Sequence, residues 1–249
     1  MAPEKHATAG EKRQTGRGPA IWLAGDPAEL PEWLERGAAG IVTNTVVLNE
    51  MVQKYGHIDE VIRRYLDITD LPVAVEVDGH STGEILEVSH HFTAMSDRII
   101  IKIPCGVPAL GAFRALAAEG VETFCTTVFS LAQAAAVAQA GVGHVLPFCE
   151  PVKQAGGDGT KLIRECVSMF AGWQRRPFIT AALVRSVETA YEALRDGADG
   201  IIIFWTVFRD MLEQPFTTTW NGTFLAEWQA MHAAGHLDGV GVRPETARY

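Results

Sequence analysis

Short apolar runs rich in branched residues alternate along this chain with longer stretches whose apolar positions recur every three or four residues. The runs cover 20–23, 40–43, 72–77, 98–103, 123–128, 144–149, 177–182 and 200–204. Helical spacing fills 30–36, 48–66, 82–95, 109–118, 131–140, 162–173, 187–195 and 207–212. A strand covered on both faces reads as a continuous apolar run instead of an alternation, and such strands belong to parallel sheets wrapped by helices. Eight strand–helix repeats in about 200 residues predict an α/β fold of the (β/α)8 TIM-barrel type. A doubly wound open sheet is the alternative use of the same units. Gly40, Gly120, Gly141, Gly143, Gly197 and Gly200 stand before or at strand starts, where helix C-caps and αβ turns are expected.

No change of composition marks an interior linker, so 19–234 reads as one barrel domain with a C-terminal helix. That last helix is expected over 224–231, with Leu225, Trp228 and Met231 on one apolar stripe. The segment 1–18 is polar and lacks the apolar core of a signal peptide or membrane span, so it reads as a disordered leader, and 235–249 as a flexible tail. The 21 basic and 30 acidic side chains give a formal charge of −9, which argues against nucleic acid or an anionic membrane as partner. Cys105, Cys125, Cys149 and Cys166 show no CxxC spacing and mostly accompany apolar runs, as reduced cysteines of a cytoplasmic protein do.

Candidate chemistry centres on Lys102, an amine inside the run Arg98-Ile99-Ile100-Ile101-Lys102-Ile103-Pro104. Burial disfavours the ammonium and lowers its pKa, and a neutral buried lysine is the nucleophile that attacks a carbonyl to form a Schiff base. A barrel builds its site at the C-terminal strand ends, and there the chain has Thr43-Asn44-Thr45, Glu76-Val77-Asp78, Lys102, Thr126-Thr127 and Phe148-Cys149-Glu150. Alternation along the third run places Ala74, Glu76 and Asp78 on one face, so Glu76 and Thr126 are expected to flank Lys102 from neighbouring strands. Two readings fit that trio. Glu76 and Thr126 are the acid–base pair that imine chemistry needs to move water in and out, or Glu76 simply neutralises Lys102 in a non-catalytic barrel.

These same segments resemble the class I transaldolases and the related fructose-6-phosphate aldolases. The likeness rests on GIVTN (40–44), AVEVD (74–78), DRIIIKIP (97–104), CTTVFSLAQA (125–134), LPFCE (146–150) and AGGDG (155–159), in that order, within a span from about Ile21 to Trp228. The resemblance implies a transaldolase-like barrel, Lys102 as the Schiff-base lysine, and Glu76 with Thr126 holding the catalytic water. It further implies that Asn44, beside Thr43, grips hydroxyls of a ketose donor, and that Phe148 stands beside the imine. The implied reaction makes or breaks a carbon–carbon bond between small-molecule ketose and aldehyde substrates, with no cofactor and no metal. It also implies a homo-oligomer in which the final helix meets a neighbouring copy.

The departures from the family pattern bear on the substrate. The first strand ends in WLAGD (22–26), so the acid expected there is missing, and Asp26 or an inward-facing Asp78 is expected to replace it. Pro151 and Leu183 stand where the family has a phosphate-binding arginine and a serine, while Arg185 matches an anion-binding arginine. Loss of two such donors, at roughly 1–3 kcal/mol each, weakens phosphate binding by orders of magnitude. A specialised aldolase or transaldolase is therefore expected, with a housekeeping transaldolase of the pentose phosphate pathway as the alternative. His80, His90 and His91 with Glu84 and Glu87 lack HxH or HExxH spacing and read as a solvated helix face.

Overall fold

The eight apolar runs pair in sequence order. Strands β1 (Ala20–Ala24), β2 (Gly40–Val42), β3 (Val73–Glu76), β4 (Ile99–Pro104), β5 (Thr123–Val128), β6 (His144–Pro147), β7 (Phe178–Ala181) and β8 (Gly200–Phe204) are parallel neighbours, and β8 returns to β1 to close a barrel. The computed structural model of the chain describes residues 18–240 and falls into two compact units, one up to Phe208 and one from Arg209 onward. The expected leader lies outside the described residues up to position 17, as does the tail from position 241. Among the described residues, no helix is long and apolar enough to cross a membrane.

In the first unit the helices are α1 (Pro31–Glu35), α2 (Thr45–Tyr55), α3 (Ile58–Asp67), α4 (Thr82–Thr93), α5 (Val107–Ala118), α6 (Leu131–Gln139), α7 (Glu150–Gln154), α8 (Lys161–Phe170) and α9 (Val187–Arg195). Helix α10 (Trp205–Asp210) spans the division between the units. The continuous helical spacing over 48–66 proves to be two helices. Gly56 adopts φ 98°, a left-handed conformation that a side chain resists, and the His57 ring then accepts from the Asp59 amide to start α3. The sixth run stops as a strand at Pro147, short of the expected 149, because Cys149 already has helical dihedrals and Pro151 favours the first turn of α7. In the second unit the final helix, α11 (Pro215–Ala233), is more than twice the expected length; Gln214 caps it by accepting from the Thr217 amide.

Inside the barrel, Ala20, Trp22, Val42, Ala74, Ile100, Phe124, Leu146 and Ala182 form one packed cluster. The end where the strands begin is filled by rings. Trp22 meets Phe124 edge-on at 5.1 Å, Phe124 lies 4.1 Å from the His144 ring, and His144 lies 4.9 Å from Phe178. His144 is buried but satisfied, through Thr180 Oγ1 at 2.9 Å and Glu122 Oε1 at 3.1 Å. Gly40 opens β2, as the run 40–43 placed it, and caps no helix. A Cβ on it would lie 2.5 Å from the Pro72 carbonyl and 2.6 Å from the Trp22 ring, so the large indole requires the missing side chain opposite it.

Candidate active site

Three successive strands bring one amine, one carboxylate and one carbonyl together. The β3–β4 register sets Glu76 opposite Lys102, and Glu76 Oε2 lies 2.7 Å from Lys102 Nζ. Lys102 also donates to the Thr43 carbonyl at 2.8 Å. The lysine is 5% exposed, and burial holds its pKa below the ordinary lysine value even though the Glu76 charge and hydrogen bond push the other way. Beside this pair opens a cavity of about 730 Å³ at the C-terminal ends of the strands, lined among others by Thr43, Asn44, Glu76, Lys102, Thr126 and Phe148. A buried pair with no adjoining space would be structural; this one faces room for a substrate.

Backbone geometry explains how Thr126 reaches the same cavity. Strand β5 slips register against β6 between Cys125 and Val128, and Thr127 takes φ 56° in that irregularity. The Thr127 hydroxyl donates to the Thr126 carbonyl at 2.7 Å and accepts from the Cys105 amide at 3.0 Å, which locks the strained turn in place. Thr126 is 1% exposed, and its Oγ1 finds no hydrogen-bond partner among the described residues. An unpaired buried hydroxyl beside a lysine–glutamate pair is a ready position for a water or a substrate oxygen.

The other candidates differ in what they have free. Thr43 lines the cavity, but its hydroxyl donates to the Ala74 carbonyl at 3.0 Å and accepts from the Glu76 amide at 3.1 Å, so it braces β3. Asn44 caps α2, its Oδ1 accepting from the Val47 amide at 2.9 Å, which leaves the side-chain NH2 for the cavity. Phe148 extends the wall and meets Phe129 edge-on at 5.4 Å. Arg185 stands exposed at the rim with its guanidinium 6.0 Å from the Phe204 ring.

Of the two candidate replacement acids, the fold brings only Asp26 to the cavity. Strand β3 ends at Glu76, so the alternation that pointed Asp78 inward no longer applies; Asp78 is exposed, and its carboxylate accepts from the Gly79 amide. Asp26 lines the cavity and accepts from Lys54 Nζ at 2.5 Å, Tyr55 Oη at 2.6 Å and the Ala28 amide at 2.9 Å. Burial raises its pKa, but the donors from Lys54, Tyr55 and Ala28 outweigh that and hold it below the ordinary value, as a carboxylate.

Residues 40–218 match the protein family described as Transaldolase/Fructose-6-phosphate aldolase. The chain belongs to this family. Relatives described as "Probable transaldolase" include one from Thermoplasma volcanium, 30% identical over 84% of this chain and 94% of its own length, and one from Moorella thermoacetica, 31% identical over 82% and 95%. "Probable transaldolase 1" of Listeria monocytogenes serotype 4b is 31% identical over 82% of this chain and 96% of its own. Among solved structures, 2,3-dimethylmalate lyase, a member of the PEP mutase/isocitrate lyase superfamily, superimposes with a TM-score of 0.53 at 15% identity, covering 97% of this chain and 92% of that one. FabK from Thermotoga maritima gives 0.51 at 17%, covering 80% and 61%. At such identities these two likenesses speak for the barrel alone.

As a transaldolase/aldolase family member the protein is an enzyme that makes or breaks carbon–carbon bonds of small carbonyl compounds by Schiff-base aldol chemistry. Sequence reasoning missed part of the surroundings of this cavity and read Leu183 only as a lost serine. Thr45 supports Glu76, its amide and hydroxyl both lying 3.3 Å from Glu76 Oε1; Lys54 and Tyr55 fix Asp26; Leu183 lines the cavity with φ 51°. The Thr43-Asn44-Thr45 triplet was a visible signal for the first. Nothing in the sequence announces a lysine and a tyrosine at the end of a helix reaching the loop after β1, or a leucine in a left-handed turn. His90 and His91, read as a helix face, pair with Glu119 at 2.9 Å and Asp59 at 2.8 Å.

Proposed function

We propose that Lys102 is the Schiff-base nucleophile of a specialised aldolase or transaldolase, a reading carried by a buried lysine that touches a carboxylate and still faces a substrate-sized cavity. The Lys102 amine attacks once its proton has passed to Glu76, 2.7 Å away. The Lys102 nitrogen adds to the donor ketone carbon, and the resulting hydroxyl leaves as water after taking a proton from Glu76. That water rests between Glu76 and the Thr126 hydroxyl and returns to hydrolyse the imine at the end. The NH2 of Asn44 binds donor hydroxyls, and the Phe148 ring borders the imine.

Cleavage begins when the Asp26 carboxylate takes the proton of the hydroxyl two carbons from the iminium carbon. The electron pair of the breaking carbon–carbon bond moves into the iminium, the aldehyde departs, and an enamine remains on Lys102. Addition of that enamine to a second aldehyde is transfer; its protonation and hydrolysis is aldol cleavage. Arg185 is a cation at the rim, and the chain carries Pro151 and Leu183 where the family pattern has an arginine and a serine, so the site suits a substrate other than a sugar phosphate. A cytoplasmic enzyme fits the unpaired thiols of Cys105, Cys125, Cys149 and Cys166. Assembly of copies through α11 is supported by its exposed Trp220, Phe224, Leu225 and Trp228.

Incubation with dihydroxyacetone or fructose followed by borohydride should add the reduced donor to one peptide, the one containing Lys102. An adduct on a different lysine would refute the assignment. Thr126→Val, which keeps the shape and removes the hydroxyl, is expected to lower kcat by about 10²-fold or more with a small change in KM, because the group acts on water and not on donor binding. Steady-state kinetics reads the split, and an unchanged kcat would remove Thr126 from the mechanism.

A further inference from the structure

The cavity has two unlike walls. On the β2–β3 side the polar groups Asn44, Thr45 and Glu76 stand among Val42, Val46, Val47 and Met51; on the β6–β8 side stand Phe148, Leu183, Ile202 and Phe204, with Arg185 at the rim. The apolar side is built at a cost in backbone conformation. Ala182 is tied to β6 from both directions, its amide donating to the Pro147 carbonyl at 2.9 Å and its carbonyl accepting from the Cys149 amide at 3.1 Å. The chain leaves that clamp through Leu183 at φ 51°, where glycine or asparagine is usual and a bulky residue is an outlier. The next cation, Arg185, lays its guanidinium over Phe204 at 6.0 Å and so continues the flat wall instead of joining a ring of anion donors.

We propose that the aldehyde half of the substrate docks on this wall and is apolar beyond its carbonyl carbon, an alkyl or aryl aldehyde, and that Leu183 sets the preference. The proposal rests on the Schiff-base reading of Lys102. The polar wall takes the hydroxylated donor, leaving the apolar one to the partner. In the forming direction the donor iminium loses a carbon-bound proton to the Asp26 carboxylate, the resulting enamine carbon attacks the aldehyde carbon, and the carbonyl electron pair goes to oxygen, which takes that proton back from Asp26. Water then hydrolyses the iminium and frees the Lys102 amine. Burying alkyl or aryl surface against Phe148, Leu183 and Phe204 favours such a partner, whereas hydroxyls placed there would lose hydration without gaining partners and a phosphate would find the single cation Arg185.

The test uses the full chain with dihydroxyacetone as donor and butanal, benzaldehyde, glyceraldehyde or glyceraldehyde 3-phosphate as acceptor. Butanal or benzaldehyde should exceed glyceraldehyde 3-phosphate in kcat/KM by about tenfold or more, the scale on which an apolar pocket discriminates. Leu183→Ser should cut that ratio about tenfold, and Leu183→Met, which keeps an apolar wall, should preserve it. Equal or greater efficiency with glyceraldehyde 3-phosphate would overturn the proposal, as would a ratio that Leu183→Ser leaves unchanged. Borohydride trapping of donor on the unaltered protein separates the two levels. Adduct on Lys102 without the acceptor preference sinks the acceptor assignment alone, and no adduct on Lys102 sinks both.

Discussion

Lys102→Arg will leave a folded barrel with turnover lowered by about four orders of magnitude or more, the scale seen when a covalent nucleophile is removed. Arginine retains the positive charge opposite Glu76, so the ion pair at 2.7 Å has a replacement, but the guanidinium stays protonated at any working pH and forms no imine. Lys102→Met is the harsher variant. It strands the Glu76 carboxylate, whose side chain is 10% exposed, without its counter-ion, and breaking a buried pair in this way costs about 3–5 kcal/mol. Comparing the two separates chemistry from stability: both should fail to trap donor with borohydride, while thermal melting should fall mainly for the methionine. Residual turnover in Lys102→Arg above one part in about a thousand would mean another residue carries the reaction.

The acid dissociation of the same amine sets the pH behaviour. Burial lowers the pKa of Lys102, so kcat/KM should rise as the amine loses its proton and level off below the ordinary lysine value of about 10.4. A profile still climbing through pH 10 would contradict the environment described for Lys102. The sign for stability follows from the same shift. Above the depressed folded value the unfolded chain binds the extra proton, so this residue's penalty is full at low pH and fades as pH rises toward about 10.4.

Gly40→Ala is expected to destabilise the barrel by about 3 kcal/mol, the upper part of the range for overpacking. The added methyl would meet the Pro72 carbonyl at 2.5 Å and the Trp22 ring at 2.6 Å. Neither neighbour is free to move: the Pro72 carbonyl accepts from the Ile41 amide at 2.9 Å, and Trp22 is wedged edge-on against Phe124 at 5.1 Å. For a chain of this length the loss corresponds to a melting temperature lower by about 6–12 °C. Adding Trp22→Phe should restore part of it, because the two changes share one contact and are therefore not additive. A Gly40→Ala protein that melts with the parent would show that the floor of the barrel is looser than described.

The barrel was legible because parallel strands covered on both faces leave an unbroken apolar signature, and the eight runs found that way are the eight strands. The position of Lys102 inside one such run also pointed to the site, and alternation placed Glu76 beside it correctly because β3 is still regular at that residue. Two positions further the strand is over, and the same rule misplaced Asp78. Periodicity likewise could not separate α2 from α3, since a single Gly56 interrupts a pattern otherwise continuous in phase. Leu183 and Thr127 were illegible for a related reason. Their left-handed backbones are imposed by hydrogen bonds from neighbouring strands, and no local residue preference records them.

Trp22, Phe124, His144 and Phe178 cork the barrel where its strands begin, so the reaction chamber above them is a blind well. Among the described residues, what arrives at Lys102 and what is released from it share the opening at the C-terminal ends of the strands. In transfer between two aldehydes, the first product must vacate before the second reactant takes its berth, while the donor fragment waits tethered to the enzyme. Traffic at that doorway, and not the bond-breaking step alone, then governs whether the tethered fragment is handed on or lost to water.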